Sequence, residues 1–164
     1  MTTTKKTTTR KTRTPKKRLP PNPFIHEVLE LVSEQRTKAK KIEVLQEYRD
    51  DSLTAILIWN FDDSVISAVP DGQVPYKENE VPVGTDHTSL RREWKTLYHF
   101  VRGGNDKLNN LRRETMFVQL LEGLHPREAE IVCLVKDKRL TDVYKITQQQ
   151  VEEAYPDIVW GDRS

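Results

Sequence analysis

The stretch LRREWKTLYHFVRGG, residues 90–104, decides the fold class. Leu90, Trp94, Leu97, Tyr98 and Val101 recur at 3.6-residue spacing, which lays them along one stripe of an amphipathic helix. Gly103-Gly104 supplies the residue type that commonly ends such a helix. The spacing therefore predicts a helix from Leu90 to the glycine pair, with Trp94 mid-stripe as a core residue.

On its N-terminal side this helix follows a break in rhythm. Pro70 to His87 holds Asp71-Gly72, Pro75, Pro82 and Gly84 with little periodic apolar signal, and reads as a long loop. The stretch Val65 to Val69 before it suits a short strand or a helical turn. Further upstream, Asn22 and Pro23 fit a cap followed by proline at the first helical position. Ile25, Val28, Leu29 and Val32 then form one stripe running to about Arg36. A second helix, about Lys38 to Tyr48, places Ile42, Leu45 and Tyr48 on one face. Ser52 caps a third, carrying Leu53, Ile56 and Leu57 toward Trp59 and Phe61.

On the C-terminal side a helix is expected from about Asn110 to Glu122, closed by Gly123. His125-Pro126 opens the next, again with proline at the first helical position, and it runs through Val135. Thr147 and Gln150 fit a capping box, and Ile146 with Val151 fits the hydrophobic staple around it. The whole predicts an all-α domain: a compact bundle of about seven short helices with a long central loop at about 70–88, and a disordered basic N-terminal arm. The domain division is 1–22 for the arm and 23–164 for the helical body.

The arm carries Lys5, Lys6, Arg10, Lys11, Arg13, Lys16, Lys17 and Arg18 and no acid, so it is +8; the remaining chain, with 19 basic and 25 acidic residues, is −6. The net charge of +2 thus conceals a basic arm on an acidic body. Like charges repel, and a segment with no apolar stripe buries nothing to offset the entropy of ordering it. Such an arm suits nucleic acid, an acidic protein surface, a targeting signal or simple solubility. It lacks the amphipathic character of an organellar transit peptide, having no hydrophobic residue between Met1 and Leu19.

The longest apolar stretches, Ala55 to Trp59 and Ile131 to Val135, fall far short of the roughly 20 residues a membrane span requires. The expectation is a soluble intracellular chain, or one packed in an assembly made inside a cell, with no membrane partner. The single cysteine, Cys133, lies among Ile131, Val132, Leu134 and Val135 and reads as a buried structural thiol. His26, His87, His99 and His125 are scattered without metal-ligand spacing, and no Gly-rich phosphate loop is present. His26-Glu27 begins like a zinc-protease helix motif, but Glu30 stands where the second histidine is needed. Asp62-Asp63, the one adjacent carboxylate pair of note, reads as a solvated turn or helix start. The chain is expected to be non-enzymatic, with no catalytic residue, no metal and no cofactor.

Two stretches carry a likeness to a known family. The first is Phe24 to Pro70, with its opening apolar pairs, the lysines Lys38, Lys40 and Lys41, and an Asp-Asp-Ser-Leu start to the third helix. The second is Leu120 to Ile158, where His-Pro-Arg-Glu-Ala-Glu leads into a helix closing on Leu134-Val135-Lys136-Asp137, followed by a short helix ending Ala154-Tyr155-Pro156-Asp157-Ile158. This order resembles the N-terminal helical DNA-binding domain of ATP-dependent DNA ligases, particularly the compact form of T-even bacteriophages. Those ligases place a small Gly-containing turn near the DNA backbone, whereas here Lys136-Asp137 continues as Lys138-Arg139-Leu140-Thr141-Asp142-Val143. Adenylation is excluded, because the one Asp-Gly, Asp71-Gly72, has Val69 where the ligase pattern Lys-x-Asp-Gly needs its lysine. Beyond the arm, the chain is also similar to small uncharacterised proteins of marine T-even-like myoviruses, which implies phage origin.

The resulting expectation is a non-enzymatic phage protein that associates with double-stranded DNA or another polyanion. The arm supplies the attraction and the helical body orients it or recruits a phage or host protein. The ligase likeness makes Lys136, Lys138, Arg139 and Lys145 the body's candidate phosphate contacts. Cations complementing a helix C-terminus are the rival reading of the same residues. The expected location is the host cytoplasm. The alternative is a virion structural or assembly protein, located in the capsid, whose arm contacts neighbouring subunits.

Overall fold

Each helix of this chain has one apolar face, and the fold follows from burying those faces against one another. The computed structural model describes residues 17–82 and 87–163. Among them are seven α-helices: α1 (Ile25–Glu34), α2 (Lys38–Glu47), α3 (Asp51–Phe61), α4 (Leu90–Glu93), α5 (Asn110–Gly123), α6 (Pro126–Lys136) and α7 (Gln148–Ala154). A 3-10 helix (Trp94–Phe100) continues α4, and a 3-10 turn (Leu140–Asp142) follows α6. The fold is all-α. The described residues form no strand, only the isolated bridges Ser67 to Val101 and Thr88 to Leu124.

Helix α6 is central, packing on α1, α3 and α5, while α2 lies between α1 and α7. Ile131, Val132 and Val135 of α6 are buried with Ile25, Val28, Leu29 and Val32 of α1 and Leu53, Ile56 and Leu57 of α3. The caps expected downstream are present. His125 precedes Pro126 at the first position of α6. Thr147 Oγ1 accepts from the Gln150 N–H (3.3 Å), and Gln150 Oε1 accepts from the Thr147 N–H (3.1 Å). Ile146 and Val151 are both buried beside this capping box.

The upstream caps differ from expectation. Asn22 is left-handed (φ +53°) and Pro23 lies outside the helix, so neither opens α1. Phe24 precedes α1 instead, with its N–H donated to Glu27 Oε2 (2.9 Å). The next N–H, Ile25, goes to Glu128 Oε2 on α6 (3.0 Å). Carboxylates thus satisfy donors of this helix start that have no intrahelical acceptor, one carboxylate being remote in sequence. At α3 the cap is Asp50 rather than Ser52: Asp50 Oδ2 accepts from the Ser52 N–H (3.0 Å), and Ser52 is buried. At α5 the cap is Asn109, and Gly123 is the last helical residue.

The largest departure lies in the stretch that decided the fold class. It is helical, but only α4 is α; from Trp94 the winding tightens to three residues per turn. That aligns Trp94, Leu97 and Phe100 on one edge. Leu97 (6 % exposed) and Phe100 (2 %) enter the core, Trp94 is half-buried, and Tyr98 turns outward at 50 %. The segment ends where the Ala68 N–H donates to Phe100 O (2.8 Å) and the Arg102 N–H to Ile66 O (2.8 Å). The stretch Val65 to Val69 is therefore neither strand nor helical turn, but the partner of this bridge. Beyond it Gly104 is obligatory, because a Cβ there would stand 1.8 Å from the Tyr98 carbonyl oxygen.

The loop after α3 contains no helix among its described residues, and the body holds it in place. Lys77 N–H donates to Glu122 Oε1 (3.1 Å), and Val69 is buried while Val74 and Tyr76 pack on the core. Cys133 is half-buried beside this loop, and burial pushes its thiol up to about 11, which keeps it protonated at neutral pH. Asp62 is not in a solvated turn. It is 1 % exposed and accepts from the Ser64 N–H (2.9 Å), the Gly161 N–H (3.2 Å) and Arg163 (2.7 Å). Burial acts to raise its pKa, and these hydrogen bonds outweigh it and lower it.

Candidate nucleic-acid interface

Of the arm's cations, Lys5, Lys6, Arg10, Lys11, Arg13 and Lys16 lie outside the described residues. Where the description begins, the chain is tied to the body. Lys17 lies 3.6 Å from Glu34, the Leu19 N–H donates to Tyr48 Oη (3.0 Å), and Pro23 O accepts from Arg91 Nε (2.8 Å). Lys17 and Arg18 are exposed, and the Lys17–Glu34 pair is a weak surface contact. Glu34 also lines a cleft of about 560 Å³ whose walls include Arg36, Lys41 and Lys145. Lys41 is buried there with its amine donated to Val32 O (3.1 Å) and Lys145 O (2.7 Å), and burial followed by the nearby Lys145 charge lowers its pKa. Arg36 and Lys145 are exposed.

The four cations proposed at the end of α6 separate into two kinds. Lys136 is 2 % exposed, and its ammonium is spent on Pro70 O (2.9 Å), Gly72 O (3.0 Å) and Asp137 Oδ1 (2.6 Å). Lys138 donates to Trp59 O (2.7 Å) and Asp62 O (2.9 Å), and burial lowers its pKa. Both amines face inward, so neither belongs to an outer interface. They satisfy carbonyls left free at the end of α3 and in the following loop, a demand invisible from their own neighbours in sequence. Arg139, paired with Asp142 at 2.7 Å, and Lys145 remain on the surface.

The turn itself forms without glycine. Lys138 takes the left-handed conformation (φ +56°), Arg139 N–H donates to Leu134 O (2.8 Å) and Lys138 N–H to Val135 O (3.1 Å). This is the paired hydrogen bonding of a Schellman ending, usually built on glycine. Lys138→Ala keeps the strained backbone and removes two charged hydrogen bonds, so it is expected to cost about 1–2 kcal/mol by urea unfolding with DNA affinity unchanged. Weakened DNA binding at unchanged stability would return Lys138 to the interface.

A second basic region is marked by composition alone, because residues 91–113 hold seven cations and two anions. Two of the cations are internal struts. Arg91 ties Pro23 O to Asp50 Oδ1 (3.1 Å), and the buried Arg113 reaches His99 O (2.9 Å), Asn105 O (3.0 Å) and Leu108 O (3.0 Å), shaping the loop before α5. The other five, Arg92, Lys95, Arg102, Lys107 and Arg112, are exposed. Beside Lys95 lies an apolar groove of about 440 Å³ lined by Ala55, Ile58, Val65, Trp94 and Tyr98.

Three of the four histidines gather, and His99 lies apart beside Tyr98 and Asn105. His26 and His125 stack at 4.7 Å between ring centroids, His87 lies 5.6 Å from His125, and Phe24 packs on both His26 and His125. Among the described residues no group of three or more His, Cys, Asp or Glu is placed to hold a metal ion. The stack gathers at the starts of α1 and α6, within reach of the charges of Glu27, Glu30 and Arg127. Burial, then the His125 and Arg127 charges, pushes His26 down to about 4, and burial, then His87 and Arg127, lowers His125. As pH falls below 6.5 the unfolded chain binds these protons first, so stability should drop from pH 6.5 toward about 4, by roughly 3 kcal/mol for His26. Glu128, raised by burial, opposes that trend, since its contribution is lost as pH rises through its folded value. Urea midpoints measured against pH should show a flatter acid limb in His26→Gln; an unaltered limb would remove His26 from this role.

The model of one family, described as a family of unknown function (DUF6433), matches residues 28–142. No curated protein and no solved structure matches the chain.

Proposed function

The chain belongs to the DUF6433 family, and from that premise we propose that it is a non-enzymatic DNA-binding accessory protein of a marine T-even-like myovirus, acting in the host cytoplasm. The ligase-like order of helices and the +8 arm motivate the reading. The observation that supports it is the place where the described end of the arm, Lys17 to Pro23, meets the body. Lys17 meets Glu34 on the rim of the cleft that Arg36 and Lys145 also line. A phosphate backbone followed by the arm would displace the weak Lys17–Glu34 contact and reach Arg36 and Lys145 on the same rim. The contacts of Leu19 with Tyr48 and of Pro23 with Arg91 fix the chain between Lys17 and the body, and on this reading the arm's cations and the cleft rim serve one strand of DNA.

Neutralising some five to eight phosphates releases their condensed counterions, so log affinity for duplex DNA should fall against log salt with a slope of about −4 to −7. Deleting residues 1–16, which spares the Leu19 and Pro23 contacts, should remove most of that slope. Replacing Arg36 and Lys145 with alanine should reduce it by about 1 to 2. Duplex titrations at several salt concentrations read all three. A truncated chain that binds duplex as tightly as the full chain at low salt would overturn the proposal.

A further inference from the structure

The tight winding of 94–100 has placed chemistry on its outer edge that duplex binding by the arm does not use. At three residues per turn, side chains at i and i+3 eclipse. Lys95 and Tyr98 therefore stand in line, and Arg92 lies one turn earlier on the same side. The Lys95 ammonium sits 5.8 Å from the centre of the Trp94 ring. Tyr98 is half-exposed and Trp94 half-buried, and both line the apolar groove. Among the described residues neither the Tyr98 hydroxyl nor the Trp94 indole N–H has a hydrogen-bond partner, and Arg92, Lys95 and Arg102 have no ion-pair partner.

The nearby acids are already engaged. Glu93 Oε1 accepts from the Thr88 hydroxyl (2.8 Å), and Asp62 holds Arg163. Of the two cations lining the groove, Arg163 is paired with Asp62 and Lys95 is not, and Arg92 stands in line with Lys95 over an otherwise apolar floor. A chain suited to both must repeat negative charge and also offer flat apolar faces. Single-stranded nucleic acid does so, whereas a duplex hides its base faces in the stack.

Resting on the nucleic-acid reading above, we propose that this edge binds single-stranded nucleic acid, with an unpaired base stacking against Trp94 and Tyr98 and the flanking phosphates meeting Arg92 and Lys95. Such stacking tolerates any base, so the site discriminates paired from unpaired strands without reading sequence. The body then marks where a duplex is open while the arm holds the duplex beside it.

The full chain is titrated at high salt, where arm contacts are screened, with oligo(dT) about 12 nucleotides long and with an abasic strand of equal length. Oligo(dT) should bind more tightly than the abasic strand and quench tryptophan fluorescence. Tyr98→Ala should weaken oligo(dT) binding about tenfold at unchanged melting temperature, and Tyr98→Phe, which keeps the ring face, should restore it. Equal binding of the two strands, or of Tyr98→Ala and the parent, would overturn the inference while leaving arm-dependent duplex binding standing. Concentration-dependent self-association abolished by Tyr98→Ala would place a second copy in the groove and also overturn it. Failure of the full chain to bind any nucleic acid, at low or high salt, would remove the proposed function along with it.

Discussion

Replacing Glu128 with leucine is expected to destabilise the fold by about 4 kcal/mol. Glu128 is fully buried at the third position of α6, and its two oxygens accept from the Ile25 N–H (3.0 Å) and the Leu90 N–H (3.1 Å). Those donors are the first of α1 and of α4, which no intrahelical carbonyl can satisfy. One carboxylate therefore joins the starts of three helices, where the aligned peptide dipoles of each favour negative charge. Leucine leaves two buried donors without partners, each costing roughly 1–3 kcal/mol. Glutamine keeps one acceptor oxygen and should lose about half as much. Urea unfolding of the three proteins measures this; a loss below about 1 kcal/mol in the leucine variant would mean that water or a backbone shift satisfies both donors.

Phe100→Ala should cost about 3–5 kcal/mol, and Trp94→Ala distinctly less. The Phe100 ring is buried edge-on against Phe117, with centroids 5.1 Å apart at 73°. Truncation opens a cavity and removes an aromatic pair. Trp94 is only half-buried, so much of its ring already meets solvent. An α-helix over the same residues would reverse the order, with Trp94, Tyr98 and Val101 inward and Phe100 turned away. The two variants thus report the pitch of the segment: equal losses, or a larger loss for Trp94→Ala, would contradict the 3-10 winding and move Tyr98 off the surface.

Only part of the candidate interface was legible in advance. The arm's charge is a property of composition and needs no fold to be seen. The surplus of cations in residues 91–113 is equally visible once counted, but its division is not. Arg91 and Arg113 are recognisable as struts only when Pro23, Asp50 and the 99–108 carbonyls are in place. Lys136 and Lys138 show the same limit from the other side. Their spacing suited a surface patch, yet the carbonyls of Pro70, Gly72, Trp59 and Asp62 draw both amines inward.

The amino-acid sequence by itself determined the helical class, the long break after α3 and the starts at His125-Pro126 and Thr147. Those features rest on hydrogen bonds and packing between residues three or four apart, and such interactions need nothing distant to form. Tertiary structure decided where α1 begins, the pitch after Trp94, the gathering of three histidines and the inward direction of Lys136 and Lys138. In these cases remote partners take part: Glu128 stands 103 residues from Ile25 and 38 from Leu90. An orphan donor or carbonyl must be satisfied wherever the chain packs, and only the folded chain shows which side chain is near enough to do it.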